Sequence, residues 1–122
     1  MEHRCNIRRP VALDTVIESR PGERIPGRIR NISLGGVFVE LGSRRPALNA
    51  IVDLSFSVPL DGGSHPCRIS AMVVQHTARG VGVMFEDLAP DTRLVLKALI
   101  DARPGRHHYS LPVYAVRRAA AG

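Results

Sequence analysis

The sequence predicts an all-β fold: an antiparallel sheet closed into a barrel or sandwich, finished by one C-terminal helix. Three observations carry this. Six short runs alternate side chains at period two or are rich in β-branched residues. Short turns built on Gly, Pro and Asp join them, as in an antiparallel sheet. At Pro90-Asp91-Thr92 the apolar spacing changes to a helical one.

The elements follow in order. Pro10 opens the first strand, where Val11, Leu13 and Thr15 alternate with Ala12, Asp14 and Val16. Arg20-Pro21-Gly22-Glu23 is a turn, since Pro presets one backbone angle and Gly tolerates the next. Ile25 to Ile32 is the second strand, with Pro26 and Gly27 marking an edge or a bulge. Val37 to Leu41 is the third strand, entered through Gly35-Gly36, and Gly42 to Pro46 is a loop. Ile51 to Val58 is the fourth, and Pro59-Leu60-Asp61-Gly62-Gly63 turns the chain into the fifth, Cys67 to Gln75. His76 to Gly80 leads into the sixth, Val81 to Phe85. Leu94, Val95, Leu96, Ala98, Leu99 and Ile100 then form a helical core stripe, capped by Asp91 or Thr92 and expected to plug one barrel mouth. No internal repeat is visible. The basic tail, 104–122, is compatible with a short strand, a docked continuation or disorder.

The 122 residues make one domain with one core, and 44% hydrophobic residues are enough to fold it. Aromatics are only 4% with no Trp, so Val, Ile, Leu and Ala must build the core. The formal charge of +6, from 17 basic and 11 acidic residues, points to anionic partners. Lys97 is the only lysine, and the arginine fork suits phosphates and guanine edges. The two cysteines, Cys5 and Cys67, the polar start and the lack of a long apolar run fit a cytoplasmic chain with free thiols and no membrane insertion.

Two constellations stand out. Asn31, Ser33 and Gly36 have the spacing N-x-S-x-x-G. On an extended segment the two polar side chains would point to one side, able to bond a base or ribose, and a glycine allows close approach. A plain corner in which Asn and Ser bond their own backbone uses the same letters. Arg4 and Arg8, with Arg9 alongside, have the spacing R-x-x-x-R, which can clamp phosphates or a guanine Hoogsteen edge.

In order and spacing, Arg4-Cys5-Asn6-Ile7-Arg8, Arg9-Pro10-Val11 and Asn31-Ile32-Ser33-Leu34-Gly35-Gly36 resemble the PilZ domain family. Gly80-Val81-Gly82-Val83-Met84-Phe85 looks like its closing strand, and the likeness spans roughly residues 3 to 102. The resemblance implies a six-stranded antiparallel β-barrel with a C-terminal α-helix over 10–103. A flexible ligand-binding loop over 1–9 would precede it. It also implies a ligand, the bacterial second messenger bis-(3′,5′)-cyclic dimeric GMP (cyclic di-GMP). Arg4 and Arg8 would hold phosphates and guanine, Asn31 and Ser33 would bond a guanine, and Gly36 would leave it room. Where the family has Asp or Asn, Asn31 keeps an acceptor without the charge, so binding is expected to be weaker. His3, before the first motif arginine, favours one bound ligand over a stacked pair. Arg9, Gly35, His76 and Arg79 are further candidate contacts. Output would pass, by ordering of the N-terminal loop, to a separate effector protein.

Two other readings are weighed against this one. A PilZ-like adaptor would have lost nucleotide binding and work through protein contacts, which the intact Arg4, Arg8, Ser33 and Gly36 oppose. A general nucleic-acid binder would present stacking aromatics, but Phe38, Phe56, Phe85, Tyr109 and Tyr114 form no evident platform. His3, Cys5, His107 and His108 match no zinc spacing. Adjacent Glu86 and Asp87 point apart, so no catalytic set is recognised and an enzyme is not expected.

Overall fold

The computed structural model describes residues 7–19, 22–60 and 62–102. His3, Arg4 and Cys5, with the tail over 104–122, lie outside them. The elements are β1 (Arg9–Ser19), β2 (Glu23–Ile32), β3 (Gly36–Glu40), β4 (Ile51–Leu60), β5 (Gly63–His76), β6 (Gly80–Phe85) and α1 (Pro90–Asp101). The strands close into a barrel in the order β1-β2-β3-β6-β5-β4, each pair antiparallel. The expected all-β barrel with one C-terminal helix is therefore the observed fold.

The core is aliphatic, as the scarcity of aromatics requires. Ile17, Ile29, Ile32, Leu54, Val73 and Val81 are each under 2% exposed. From α1, Val95, Leu96 and Leu99 join the same core, so the helix seals one end of the barrel. Its start differs from the expected one. Ala89 is the N-cap, with no side-chain cap, and Pro90 opens the first turn. Proline's fixed φ favours that place, which moves Asp91 into the first turn, facing the positive end of the helix dipole.

The β4–β5 hairpin is tighter than the sequence suggested. Leu60 pairs with Gly63, and Gly62 takes φ +87°. Pro59 and Pro66 are tolerated because β4 pairs with β1 only up to Phe56 and β5 with β6 only from Ala71, leaving the outer hairpin with one ladder. Pro26 sits in the half of β2 that pairs with β1 but not β3.

The barrel also contains an internal two-fold relation that the sequence does not display. Asn31 pairs with Phe38 and Ile32 with Val37; correspondingly, Gln75 pairs with Gly82 and His76 with Val81. The β2–β3 ladder shifts register between Ile29 and Asn31, and the β5–β6 ladder between Val73 and Gln75.

Cys67 is buried on β5, and burial pushes its thiol up to about 11. A raised thiol pKa favours the folded state only while the group stays protonated. That contribution is therefore whole below pH ~9 and fades between ~9 and ~11. Alkylation of Cys67 at pH 8 is expected to be negligible in the native protein and complete in denaturant, read by mass spectrometry.

Candidate functional site

The site begins with a bulge. Ile29 and Ile32 are both buried although they are three residues apart. The register shift after Ile29 absorbs the extra residue, so Arg30 is exposed and Asn31 lies half-buried on the outer face. The β1–β2 ladder pairs Pro10 with Asn31 and Arg9 with Ile32. It thereby delivers Arg8 to Asn31, and an Arg8 guanidinium N–H donates to Asn31 Oδ1 at 2.5 Å. One residue of each sequence motif is thus joined across 23 positions of chain. With Oδ1 engaged by Arg8, the Asn31 amide nitrogen keeps its two donors.

Ser33 is placed otherwise than strand alternation suggested. β2 ends at Ile32, so period two does not extend to Ser33, which is 3% exposed. Its Oγ accepts from Gly35 N and Gly36 N, both at 3.1 Å, and donates to Gly36 O at 3.3 Å. Gly35 O accepts from Phe85 N at 2.9 Å, tying the turn to the end of β6. Thr77 repeats the device at the other end of β3–β6. Its Oγ1 accepts from Arg79 N at 3.1 Å and Gly80 N at 3.2 Å. S-x-x-G and T-x-x-G are the same turn. Gly36 and Gly80 are equivalent as well: a Cβ on either would collide with a backbone carbonyl oxygen, that of Val83 or of Val39.

Arg9 is the first residue of β1 and serves the helix. Its guanidinium donates to Ile100 O at 3.3 Å and also to Ala102 O, closing the C-terminal end of α1. Two contiguous arginines therefore face different partners, Arg8 the barrel wall and Arg9 the plug. Arg9→Ala is expected to cost about 1–2 kcal/mol by removing a cation from a helix C-terminus, seen as a lower Tm.

His76 and Arg79 sit at the far end of the same wall. His76 Nε2 lies 2.8 Å from Pro46 O, which ties it to the loop before β4. Glu40 lies between two arginines, with Arg30 Nε at 3.0 Å and Arg79 Nη2 at 3.4 Å. Sequence reasoning passed over Arg30 and Glu40. The β2–β3 ladder, which pairs Arg28 with Glu40, brings Arg30 within reach of that carboxylate.

The barrel's other arginines are largely matched with carboxylates: Arg24 and Arg68 with Glu18, Arg28 with Asp14, and Arg44 with Glu23. Arg8 instead has a neutral partner among the described residues. Those residues carry eleven basic against nine acidic side chains, so most of the net charge lies outside them. A near-neutral barrel is a poor electrostatic footprint for general nucleic-acid binding. No group of His, Cys, Asp or Glu among the described residues is arranged to hold a metal ion. No helix among them is long and apolar enough to cross a membrane.

Two solved structures share the fold. The PilZ domain of CeSA from a cellulose-synthesizing bacterium superposes with TM-score 0.59 at 15% identity, over 76% of this chain and 93% of that one. The Bacillus subtilis inhibitor of motility (MotI/DgrA) superposes with TM-score 0.63 at 18% identity, over 94% of this chain and half of that one. No curated protein sequence matches significantly. The PilZ domain model matches residues 2–102, the whole barrel and its helix, and the chain belongs to the PilZ domain family.

Proposed function

We propose that this PilZ domain is a receptor for cyclic di-GMP, the ligand its family generally binds. The observation that carries the reading is the contact of Arg8 with Asn31 on the outer wall. It sets a guanidinium fork beside a carboxamide whose nitrogen still has donors. Guanine offers O6 and N7 as acceptors on its Hoogsteen edge, and each phosphate offers anionic oxygens. Arg8 and Asn31 take these groups, and Arg4 adds a second fork from the segment before β1. Ser33, Gly35 and Gly36 act by shaping the turn beside Asn31.

The domain does no chemistry of its own; PilZ domains are regulatory binding modules. Ligand orders the segment before β1, and Arg9 in that same run holds the end of α1. Occupancy is thereby felt at the helix and the chain beyond it, where a separate effector protein in the bacterial cytoplasm reads it. His3 favours a single bound ligand.

A thermal-shift series tests the reading. Cyclic di-GMP at a hundred times its Kd adds about 2.7 kcal/mol, whereas GTP and cyclic di-AMP leave Tm in place. No shift with cyclic di-GMP over the same range contradicts it.

A second reading, an adaptor working by protein contact, has one observation in its favour. Ile51, Met72 and Met84 lie on one line across β4, β5 and β6, and Met84 is 52% exposed. If a folded chain binds no nucleotide, this apolar line is the place to substitute next.

A further inference from the structure

One register line crosses the middle of the outer wall. Asn31 of β2 pairs with Phe38 of β3, Phe38 with Gly82 of β6, and Gly82 with Gln75 of β5. Val37 and Val39 on either side of Phe38 are wholly buried, so strand alternation turns the Phe38 ring outward, where it is half-buried. Along β3 its outward neighbours are Gly36, which has no side chain, and Glu40, held by Arg30 and Arg79. Toward β6 it meets Gly82, over which Gln75 lies: Gln75 Oε1 is 3.3 Å from the place a Cβ on Gly82 would take. The ring therefore has a carboxamide at each end of its line, Asn31 on one side and Gln75 on the other.

From this geometry we propose that Phe38 is the base-stacking floor of the site and Gln75 its far hydrogen-bonding rim. The proposal rests on the receptor reading and adds the residues that recognise the base. A purine is flat, with a π face and polar edges. Phe38 offers a flat apolar face, and Asn31 and Gln75 offer donors and acceptors at its ends. Stacking fixes the plane of the base, so the two amides and the Arg8 fork meet its edges rather than its face. The internal two-fold relation explains the arrangement. Asn31 and Gln75 occupy equivalent places after equivalent bulges, and only one of the two central positions between them, Phe38 but not Gly82, carries a ring.

The test is isothermal titration of the full chain and four variants with cyclic di-GMP, with melting curves alongside. Phe38→Leu keeps the apolar bulk and loses the ring; it is expected to weaken binding about fivefold or more. Phe38→Tyr keeps the ring and is expected to stay within about twofold of the parent. Gln75→Ala is expected to weaken binding, and Gln75→Asn to recover part of the loss. Addition of ligand should also move the Phe38 ring protons upfield in NMR spectra, which a merely structural role would not do. If the parent binds and Phe38→Leu binds equally well with unmoved ring signals, the stacking role falls while the receptor reading stands. If the parent itself binds no cyclic di-GMP, both fall.

Discussion

Replacing Gly36 with valine is expected to lower the melting temperature by roughly 8–16 °C, whether or not ligand is present. A Cβ at Gly36 lands on the carbonyl oxygen of Val83 and lies 3.2 Å from Met84 Cα. Neither is the loose end of a side chain. Both belong to β6, whose ladder pairs Gly36 with Met84 and Val37 with Val83. Relief requires β3 and β6 to separate, and overpacking of this kind costs at least about 2 kcal/mol. Each kcal/mol moves Tm by about 4–8 °C in a domain of this size. Gly36 was expected to make room for a ligand. The barrel demands it first, so a binding defect in Gly36→Val is interpretable only beside its melting curve. Gly80→Val meets Val39 in the same way and should fall equally far. Gly42→Ala is the control: nothing lies within 4 Å of its new methyl, and stability should change by under about 0.5 kcal/mol.

Arg8→Ala is expected to weaken binding of cyclic di-GMP, on the receptor reading, by more than tenfold and to leave the melting curve of the free protein nearly unchanged. The two effects separate because Arg8 is exposed and bonds a side chain, not the core. Losing a charge-assisted contact costs on the order of 1.5–3 kcal/mol. Asn31 then loses its orienting partner as well, so Asn31→Ala and the double variant should be less than additive. Additive losses would show that the two residues act apart. Arg9→Ala should show the reverse pattern, with a lower Tm and a smaller binding defect, since its guanidinium serves the helix.

The strands and helix were legible because period-two and helical patterning survive in the aliphatic residues that fill the core. Legibility failed where local register departs from the ideal. The extra residue at Arg30 decides which way Asn31 faces, and no residue type marks it. Strand alternation put Ser33 beside Asn31, but the strand ends one residue earlier and the hydroxyl closes its own turn. The two-fold relation was invisible for a related reason. Ser33-Leu34-Gly35-Gly36 and Thr77-Ala78-Arg79-Gly80 share only a first hydroxyl and a last glycine, the two features that the turn and the close strand approach require. Of the site, both motifs were visible in the sequence, but the contact that joins Arg8 to Asn31 was not. Phe38 looked like one more scattered aromatic until the ladder set it opposite Asn31. Arg4 and His3 lie outside the described residues, as does the tail over 104–122.

Whether the Arg8–Asn31 wall binds the dinucleotide decides between a receptor and an adaptor. The most direct measurement is isothermal titration of cyclic di-GMP into the folded chain, run in parallel with Arg8→Ala and Asn31→Ala. The predicted result is saturable binding of one ligand by the parent and a loss of more than tenfold in each variant at unchanged Tm. Absence of heat from the folded parent, or equal affinity in all three proteins, would contradict it.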